Sequence, residues 1–182
     1  MSARPPLALT AFPLLLAGLA VGCSHYRLGT EGRLAFASLY VEPVQNKVLL
    51  PQAQAVVSAE LREAFVRDGR VEIVDSPGAA DAVLKVVITD YHREMIATRE
   101  SDIGLASKFA VTLGVTCSLR DTRSGRTYFE NRVVSAERDS YTDNGQPSSS
   151  LTGDQLQSEY NLVPLLAGSL ADKVTHAVLD RW

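Results

Sequence analysis

Residues 109–119 alternate between apolar side chains and small or polar ones almost without exception. Because successive side chains of a strand point to opposite faces of a sheet, this pattern predicts a strand with one buried face. A turn is predicted at residues 121–125, and residues 127–136 are predicted to return as the second strand of a hairpin. Cys117 belongs to the apolar set, so we expect a buried and chemically inert thiol.

Two further strands and a helix are predicted before this hairpin. Residues 34–41 and 82–91 are apolar runs, and the second is rich in β-branched residues that favour extended structure. Between them a polar loop is predicted at residues 45–47, and Pro51 suits the first turn of a helix that ends at Gly69. Apolar residues recur at helical spacing within it: Val57, Leu61, Ala64 and Phe65. The strand, crossover helix and second strand predict a parallel pair.

A second helix is predicted near the end of the chain, where apolar residues from Leu162 to Val178 recur at helical spacing. Pro164 predicts that this helix either starts or kinks there, and residues 154–160 are predicted to form a separate turn. Residues 92–107 are predicted to be a mixed connection, with strand extensions at either end left open. Residues 141–153 have the composition of a flexible loop.

The predicted order is therefore β-α-β-β-β-α, which indicates an α+β fold of two layers. We expect a four-stranded mixed sheet with two helices packed on one face. The other face would carry small polar side chains such as Thr112, Thr116 and Ser118. Residues 34–182 are predicted to form this single α/β domain.

The first 22 residues are predicted to be a lipoprotein signal peptide. One basic residue, Arg4, precedes an apolar core too short to span a bilayer comfortably, and small residues follow before Cys23. This arrangement resembles a bacterial lipobox, which implies that Cys23 becomes the first residue and carries covalent lipid, including palmitate. Residues 23–33 would then be a lipidated tether. By analogy with lipoprotein sorting, Ser24 after the cysteine favours the outer membrane, with the domain on the periplasmic side.

The composition excludes several classes of function. Lys and Arg number 18 against 21 Asp and Glu, a formal charge of −3, so no strongly basic surface for nucleic acid is expected. Three scattered histidines, His25, His92 and His176, have no partners at metal-ligand spacing. No catalytic motif for a nucleophile or a phosphate-binding loop is found. We therefore expect no enzyme, no metal and no cofactor beyond the lipid on Cys23.

Basic residues mark three places in the predicted sheet. Arg93, Arg99 and Lys108 surround the connection between the second and third strands. Others surround the opposite hairpin or follow the fourth strand: Arg120, Arg123, Arg126, Arg132 and Arg138. They are either ordinary charged surface or a phosphate-recognising end of the sheet, since arginine and lysine suit anionic head groups.

The order of these signals resembles the LPS-assembly lipoprotein family, LptE. The lipobox Cys23 is followed by YRLG at 26–29, VEPVQN at 41–46 and ADAVL at 80–84. A long hairpin and a C-terminal helix ending in Trp182 complete the pattern. Ser24-His25 stands where the family typically has a glycine.

The resemblance implies a non-enzymatic outer-membrane lipoprotein. Members of the family plug and help to assemble the LptD-type outer-membrane β-barrel, and they bind lipopolysaccharide for delivery to the outer leaflet. One basic lipopolysaccharide contact of the family lies between the second and third strands, where Arg99 is the best positional match. A second lies before the last helix, but residues 141–153 contain no Lys or Arg. Arg93 and Lys108 are therefore candidate substitutes.

A second function remains open from the sequence. Periplasmic activator or secretion-assembly lipoproteins, which bind a cell-wall synthase or another envelope complex, have similar α/β domains. The ADAVL sequence at 80–84 suits those domains as well. The identity of the partner separates the two functions.

Overall fold

Parallel and antiparallel strands meet in one sheet of the computed structural model, which describes residues 34–99, 102–141 and 151–180. Two long helices lie against the sheet. The elements are β1 (Ser38–Val41), β2 (Gln45–Asn46), α1 (Pro51–Asp68), β3 (Glu72–Ile73), a 3₁₀ turn (Pro77–Ala79), β4 (Ala82–Arg99), β5 (Asp102–Asp121), β6 (Thr127–Tyr141) and α2 (Leu151–Leu179). The predicted α+β class is confirmed.

The sheet order is β3-β1-β4-β5-β6, and β2 pairs with β4 beyond the end of β1. β1 and β4 are parallel, as the crossover helix between them predicted. β4, β5 and β6 are successive antiparallel neighbours, as the hairpin pattern predicted. The four predicted strands are therefore present in the predicted directions.

The described part of the sheet has six strands rather than four, because two short pairings add to it. Residues 45–47 were predicted to be a polar loop, but Gln45–Asn46 pairs in parallel with β4. The Asn46 side chain fixes this segment by donating to the Leu50 carbonyl and accepting from the Val48 N–H, both at 3.0 Å. β3 adds a parallel pair outside β1.

The β4–β5 hairpin is longer than the predicted strands. β4 was predicted to reach Tyr91, followed by a mixed connection over residues 92–107 whose strand extensions at either end were left open. β4 continues to Arg99, and β5 begins at Asp102. Cross-strand pairing explains the extension, because each polar residue after Tyr91 has a partner on β5 even where no core covers it.

The last helix begins before the predicted start. α2 runs continuously from Leu151 to Leu179 with Pro164 inside it, so the separate turn predicted for residues 154–160 is wrong. Proline removes one N–H, and the buried residues on both sides of it outweigh that loss: Leu162, Val163, Leu166 and Ala167. By length and composition Tyr160–Leu179 could cross a membrane, but more than half of it is buried, which is typical of a core helix.

The core lies between the two helices and one face of the sheet. α1 contributes the predicted stripe, with Val57, Leu61 and Phe65 fully buried. Gly69 ends α1 in the left-handed conformation, at φ 73°, and its N–H donates to the Phe65 carbonyl at 3.1 Å. The opposite face of the sheet carries the partly exposed Thr112, Thr116 and Ser118, as predicted.

A β-bulge at Thr89 decides which side chains face the helices in the upper half of β4. Ile88 pairs with Val115, but the next paired residue, Asp90, lies opposite Gly114. Before the bulge, from Ala82 to Ile88, the even-numbered residues of β4 face the core. After it, the odd-numbered residues face the side of the sheet that carries the helices. Gly114 allows the close approach of β4 and β5 at this bulge, because a β-carbon at position 114 would lie only 3.0 Å from the Asp90 β-carbon.

Candidate functional site: the two ends of the sheet

The hairpin end of the sheet is formed by β4 and β5 beyond residue 90. Arg93 is exposed and pairs across the strands with Val111, so it lies on the helix side. Its guanidinium carbon lies 5.7 Å from the centroid of the Phe109 ring, within the range of a cation–π interaction. Phe109 packs partly against the core, whereas the neighbouring Met95 is 52% exposed. A cation and apolar surface thus share this side.

Lys108 lies on the opposite face of the same hairpin. It shares the face of Ala110 and Thr112, because these positions alternate along β5. Its Nζ atom lies 2.7 Å from Asp139 Oδ2, and the lysine side chain is 28% exposed. Arg93 and Lys108 therefore do not form a single basic cluster.

Arg99 is the last residue of β4, and its backbone pairs with Asp102 at the start of β5. This places it at the tip of the hairpin, farthest from Ala82 along the strand. Cys23 lies outside the described residues, as does the rest of the predicted signal peptide and tether. Of the predicted flexible loop at 141–153, Tyr141 ends β6 and residues 151–153 begin α2, while residues 142–150 lie outside the described residues.

The opposite end, called here the turn end, consists of Asp81, the entering residues 36–38 and the β5–β6 turn at residues 120–126. Asp81 Oδ2 accepts the N–H groups of Ala37 and Ser38, each at 3.1 Å. Arg123 donates to Asp81 Oδ1 at 2.6 Å. The two backbone N–H groups hold the pKa of Asp81 below its usual value. Asp81, the aspartate of the ADAVL sequence, thus fastens the start of the domain to the turn.

A second carboxylate organises the turn itself. Asp121 Oδ1 accepts the Ser124 N–H at 2.7 Å, and Asp121 Oδ2 accepts the Tyr128 hydroxyl at 2.8 Å. These bonds lower the pKa of Asp121 to about 2. The Tyr128 ring also contacts Phe36, with ring centroids 5.8 Å apart. The chain therefore enters the domain beside the β5–β6 turn.

The basic residues of β6 bind α2 rather than forming a free anionic-ligand site. Arg138 donates to Ser169 Oγ at 2.8 Å, and Arg132 donates to the Ala177 carbonyl and stacks 3.8 Å from the Phe129 ring centroid. These contacts favour the ordinary-surface interpretation for both arginines. Sequence patterns did not reveal this role, because the contacts join residues more than 30 positions apart.

The face of the sheet away from the helices carries mainly small polar and charged side chains, together with the exposed Val133. A shallow depression of about 280 Å³ lies near the turn end. Side chains of both charges line it, including Glu42, Lys85, Arg120 and Glu130. This surface offers hydrogen bonds and ionic contacts to a polar partner, and the exposed Val133, opposite Thr116, adds apolar area to the same face.

Chemistry at the remaining candidates is limited. Burial raises the pKa of the Cys117 thiol to about 12, so the thiolate needed for reactivity is scarce at neutral pH. His92 contacts Asp90 and His176 contacts Asp180, each on the surface. Within the described residues, no group of three His, Cys, Asp or Glu side chains could hold a metal ion.

A family model described as LptE, lipopolysaccharide-assembly, matches residues 36–176. No curated protein matches the chain. Among solved structures, protein XCC0632 from Xanthomonas campestris is 10% identical and has a TM-score of 0.58, with 84% of this chain and 89% of that one covered.

Two lipoprotein structures have the same fold at low identity. A minor lipoprotein from Acinetobacter baumannii is 17% identical, with a TM-score of 0.52 and coverage of 81% of this chain and 93% of that one. Rare lipoprotein B from Shewanella oneidensis is 14% identical, with a TM-score of 0.51 and coverage of 79% and 94%. At these identities the likeness concerns the fold.

Proposed function

This chain belongs to the lipopolysaccharide-assembly family LptE, and we propose that it is a non-enzymatic outer-membrane lipoprotein that plugs and helps to assemble an LptD-type β-barrel. In the same proposal it binds lipopolysaccharide and helps to deliver it to the outer leaflet. The observation that carries the proposal is the extent of the family match. Residues 36–176 include every strand and all but the last turn of α2.

The lipid anchor is the first part of the proposal. Cys23 follows a short apolar segment and small residues, which supports acylation there. More than one acyl chain would hold the protein firmly, because a single chain gives only marginal binding. Substituting Cys23→Ser should move the protein from the membrane fraction to the soluble periplasm. Cys117→Ala is the matched control, since Cys117 is buried in the domain.

The polar face of the sheet supports the plug. The lumen of an outer-membrane barrel is polar, so a protein inside it needs polar and charged surface toward the wall. Lys85, Arg120 and Glu130 supply charges of both signs on the face away from the helices. The open face thus suits a hydrated lumen better than the lipid-facing side of a membrane.

The hairpin end supports binding of lipopolysaccharide. Lipopolysaccharide joins phosphate groups to acyl chains, so its recognition needs a cation next to apolar surface. Arg93 lies over Phe109, and the exposed Met95 pairs with Phe109 across the strands. Arg99, at the tip of the hairpin, is the second candidate contact for a phosphate group. Lys108 is the weaker candidate, because Asp139 neutralises it.

The decisive experiment is purification of the lipidated protein from the membranes of its own host, followed by identification of what accompanies it. A stoichiometric β-barrel of the LptD type is the expected partner. Depletion of the protein should lower outer-leaflet lipopolysaccharide. Recovery of a cell-wall synthase or a secretion complex instead would overturn the plug and leave the activator or secretion-assembly function.

A further inference from the structure

We propose that the turn end of the sheet is a contact surface for anionic lipid headgroups, held at the membrane by the N-terminal tether. This inference rests on the proposed lipidation of Cys23. The residues that carry it are Arg120, Arg123 and Arg126; the hairpin end uses none of them, and Arg120 also lines the polar face assigned to the proposed plug.

The chain enters the domain at the turn end. Ala37 and Ser38 are bonded to Asp81, and Phe36 contacts Tyr128, so the entering segment is fixed at the turn end. A tether attached at Cys23 therefore connects to this end of the sheet and not to the hairpin tip.

The predicted tether is shorter than the β4–β5 hairpin. Leu34 follows Cys23 by 11 residues (34 − 23), and an extended chain of that length spans at most about 40 Å. β4 has 18 residues, so the hairpin tip lies about 55 Å along the strand from the turn end. An upright domain with its tip on the membrane would need a tether longer than the one available. The tether thus keeps the turn end near the headgroups.

The arginines of the turn end are exposed to solvent. Arg120 and Arg126 are exposed, and the Arg123 side chain is 84% exposed even while it donates to Asp81. The Asp81 side chain is only 22% exposed, because it accepts backbone N–H groups on its inner side. Asp121 likewise accepts hydrogen bonds from within the turn. The three arginines are exposed, whereas Asp81 and Asp121 bond inward; the exposed Glu130, beside Arg120, is the acidic neighbour of this surface.

The contribution of these arginines to membrane binding is of the size expected for an auxiliary contact. Each basic side chain near an anionic membrane surface adds roughly fivefold to binding, about 1 kcal/mol. Two or three arginines cannot anchor a protein alone, but they can orient one that is already tethered, because tethering raises the local concentration of lipid. The inferred role is therefore to set the angle of the domain to the bilayer.

The experiment uses the lipidated full-length chain in vesicles and a fluorophore on a single introduced cysteine. Thr122→Cys reports on the turn end, and Ala97→Cys reports on the hairpin. Cys117 is buried and Cys23 would be acylated, so neither competes for the label. A headgroup-level spin-labelled lipid is the quencher, in vesicles of phosphatidylcholine with or without 30% phosphatidylglycerol.

We expect strong quenching at position 122 in the phosphatidylglycerol vesicles, at least threefold above that at position 97. The double variant Arg120→Gln with Arg126→Gln should lower the quenching at position 122 to its value in pure phosphatidylcholine. Lys47→Gln is the matched control, since Lys47 is exposed and lies away from the turn. Arg123 is left unchanged because it holds Asp81.

Equal quenching at positions 122 and 97 would overturn this inference. So would quenching at position 122 that changes neither with phosphatidylglycerol nor with the double variant. The intact mass of the purified protein tests acylation separately. If acyl groups are absent, the proposed lipidation fails, and the same variants are attached through an N-terminal histidine tag to nickel-chelating lipid. The charge-dependent orientation is then measured with an equivalent tether.

Discussion

Arg93 and Lys108 lie on opposite faces of one hairpin: Arg93 pairs with Val111 on the helix side, and Lys108 contacts Asp139 on the open side. The bulge at Thr89 creates this separation, because it moves the odd-numbered residues of upper β4 to the helix side. A basic cluster in the sequence is thus divided into two environments. Only the helix side combines a cation with the ring of Phe109.

The division predicts unequal effects on lipopolysaccharide binding. Arg93→Ala should weaken binding about tenfold or more, because a charge-assisted hydrogen bond contributes about 1.5–3 kcal/mol. Lys108→Ala should change the affinity less than twofold, because Asp139 already neutralises that lysine. Titration of the purified protein with fluorescent lipopolysaccharide measures both variants, and Lys47→Ala serves as the control. Equal losses for Arg93 and Lys108 would contradict the division.

A second prediction concerns the packing of α2. Leu170 is completely buried, so Leu170→Ala should lower the free energy of unfolding by about 2–5 kcal/mol. Leu165 lies on the same helix but is 55% exposed, and Leu165→Ala should change it by less than about 0.5 kcal/mol. Urea denaturation followed by circular dichroism measures both. Similar losses would show that α2 is not packed as described.

The fold was predictable where one local pattern determines one element. The alternation in β5 and the helical spacing in α1 each depend on neighbours in sequence, and both predictions are confirmed. The extension of β4 past Tyr91 was left open and the start of α2 at Leu151 was not predicted, because tertiary contacts stabilise both segments. Residues 92–99 have no apolar alternation of their own, and their strand depends on pairing with β5.

The candidate site was predictable only in part, because sequence spacing does not determine which sheet face a basic side chain occupies or which distant residue it bonds. The register that separates Arg93 from Lys108 depends on the bulge at Thr89, and Gly114 in the sequence of β5 does not by itself locate that bulge on β4. The partners of Arg132 and Arg138 lie on α2, far along the chain. Asp81 belongs to the ADAVL sequence, but its bonds to Ala37 and Ser38 join residues more than 40 positions apart and are visible only in the folded structure.

A third prediction concerns the close approach of β4 and β5 at Gly114. Gly114→Ala should lower the free energy of unfolding by about 1–3 kcal/mol, because the new β-carbon would lie 3.0 Å from that of Asp90. The Asp90 β-carbon is bonded directly to the backbone, so rotation of the side chain cannot move it away. Gly78→Ala is the control, since no heavy atom lies within 4 Å of a β-carbon there. A double-mutant cycle with Asp90→Gly should recover part of the loss.

A fourth prediction concerns the thiol of Cys117. Burial raises its pKa to about 12, so the folded protein should not react with a thiol reagent at pH 8 over the time in which an unfolded control reacts completely. The reaction should appear in denaturant and follow the unfolding transition. Rapid modification of the native protein at this position would show that β5 is exposed to solvent on its helix side.

The fifth prediction concerns acid stability at the turn end. The pKa of Asp121 falls from 3.8 to about 2 on folding, because the ionised carboxylate accepts the Ser124 N–H and the Tyr128 hydroxyl. The unfolded chain therefore takes up a proton at higher pH than the folded one. The stabilisation from Asp121 is complete above about pH 4 and is lost as the pH falls toward 2.

Asp121→Asn removes the titrating group, so the decline in the free energy of unfolding between pH 4 and pH 2 should become shallower. Asp75→Asn is the control, because the Asp75 side chain is fully exposed and its nearest cation, Arg62, is 4.0 Å away. Urea denaturation at half-unit steps of pH measures the slope for each protein. If Asp121→Asn retained the full slope of the parent, the hydrogen bonds of the turn would not be the source of the acid sensitivity.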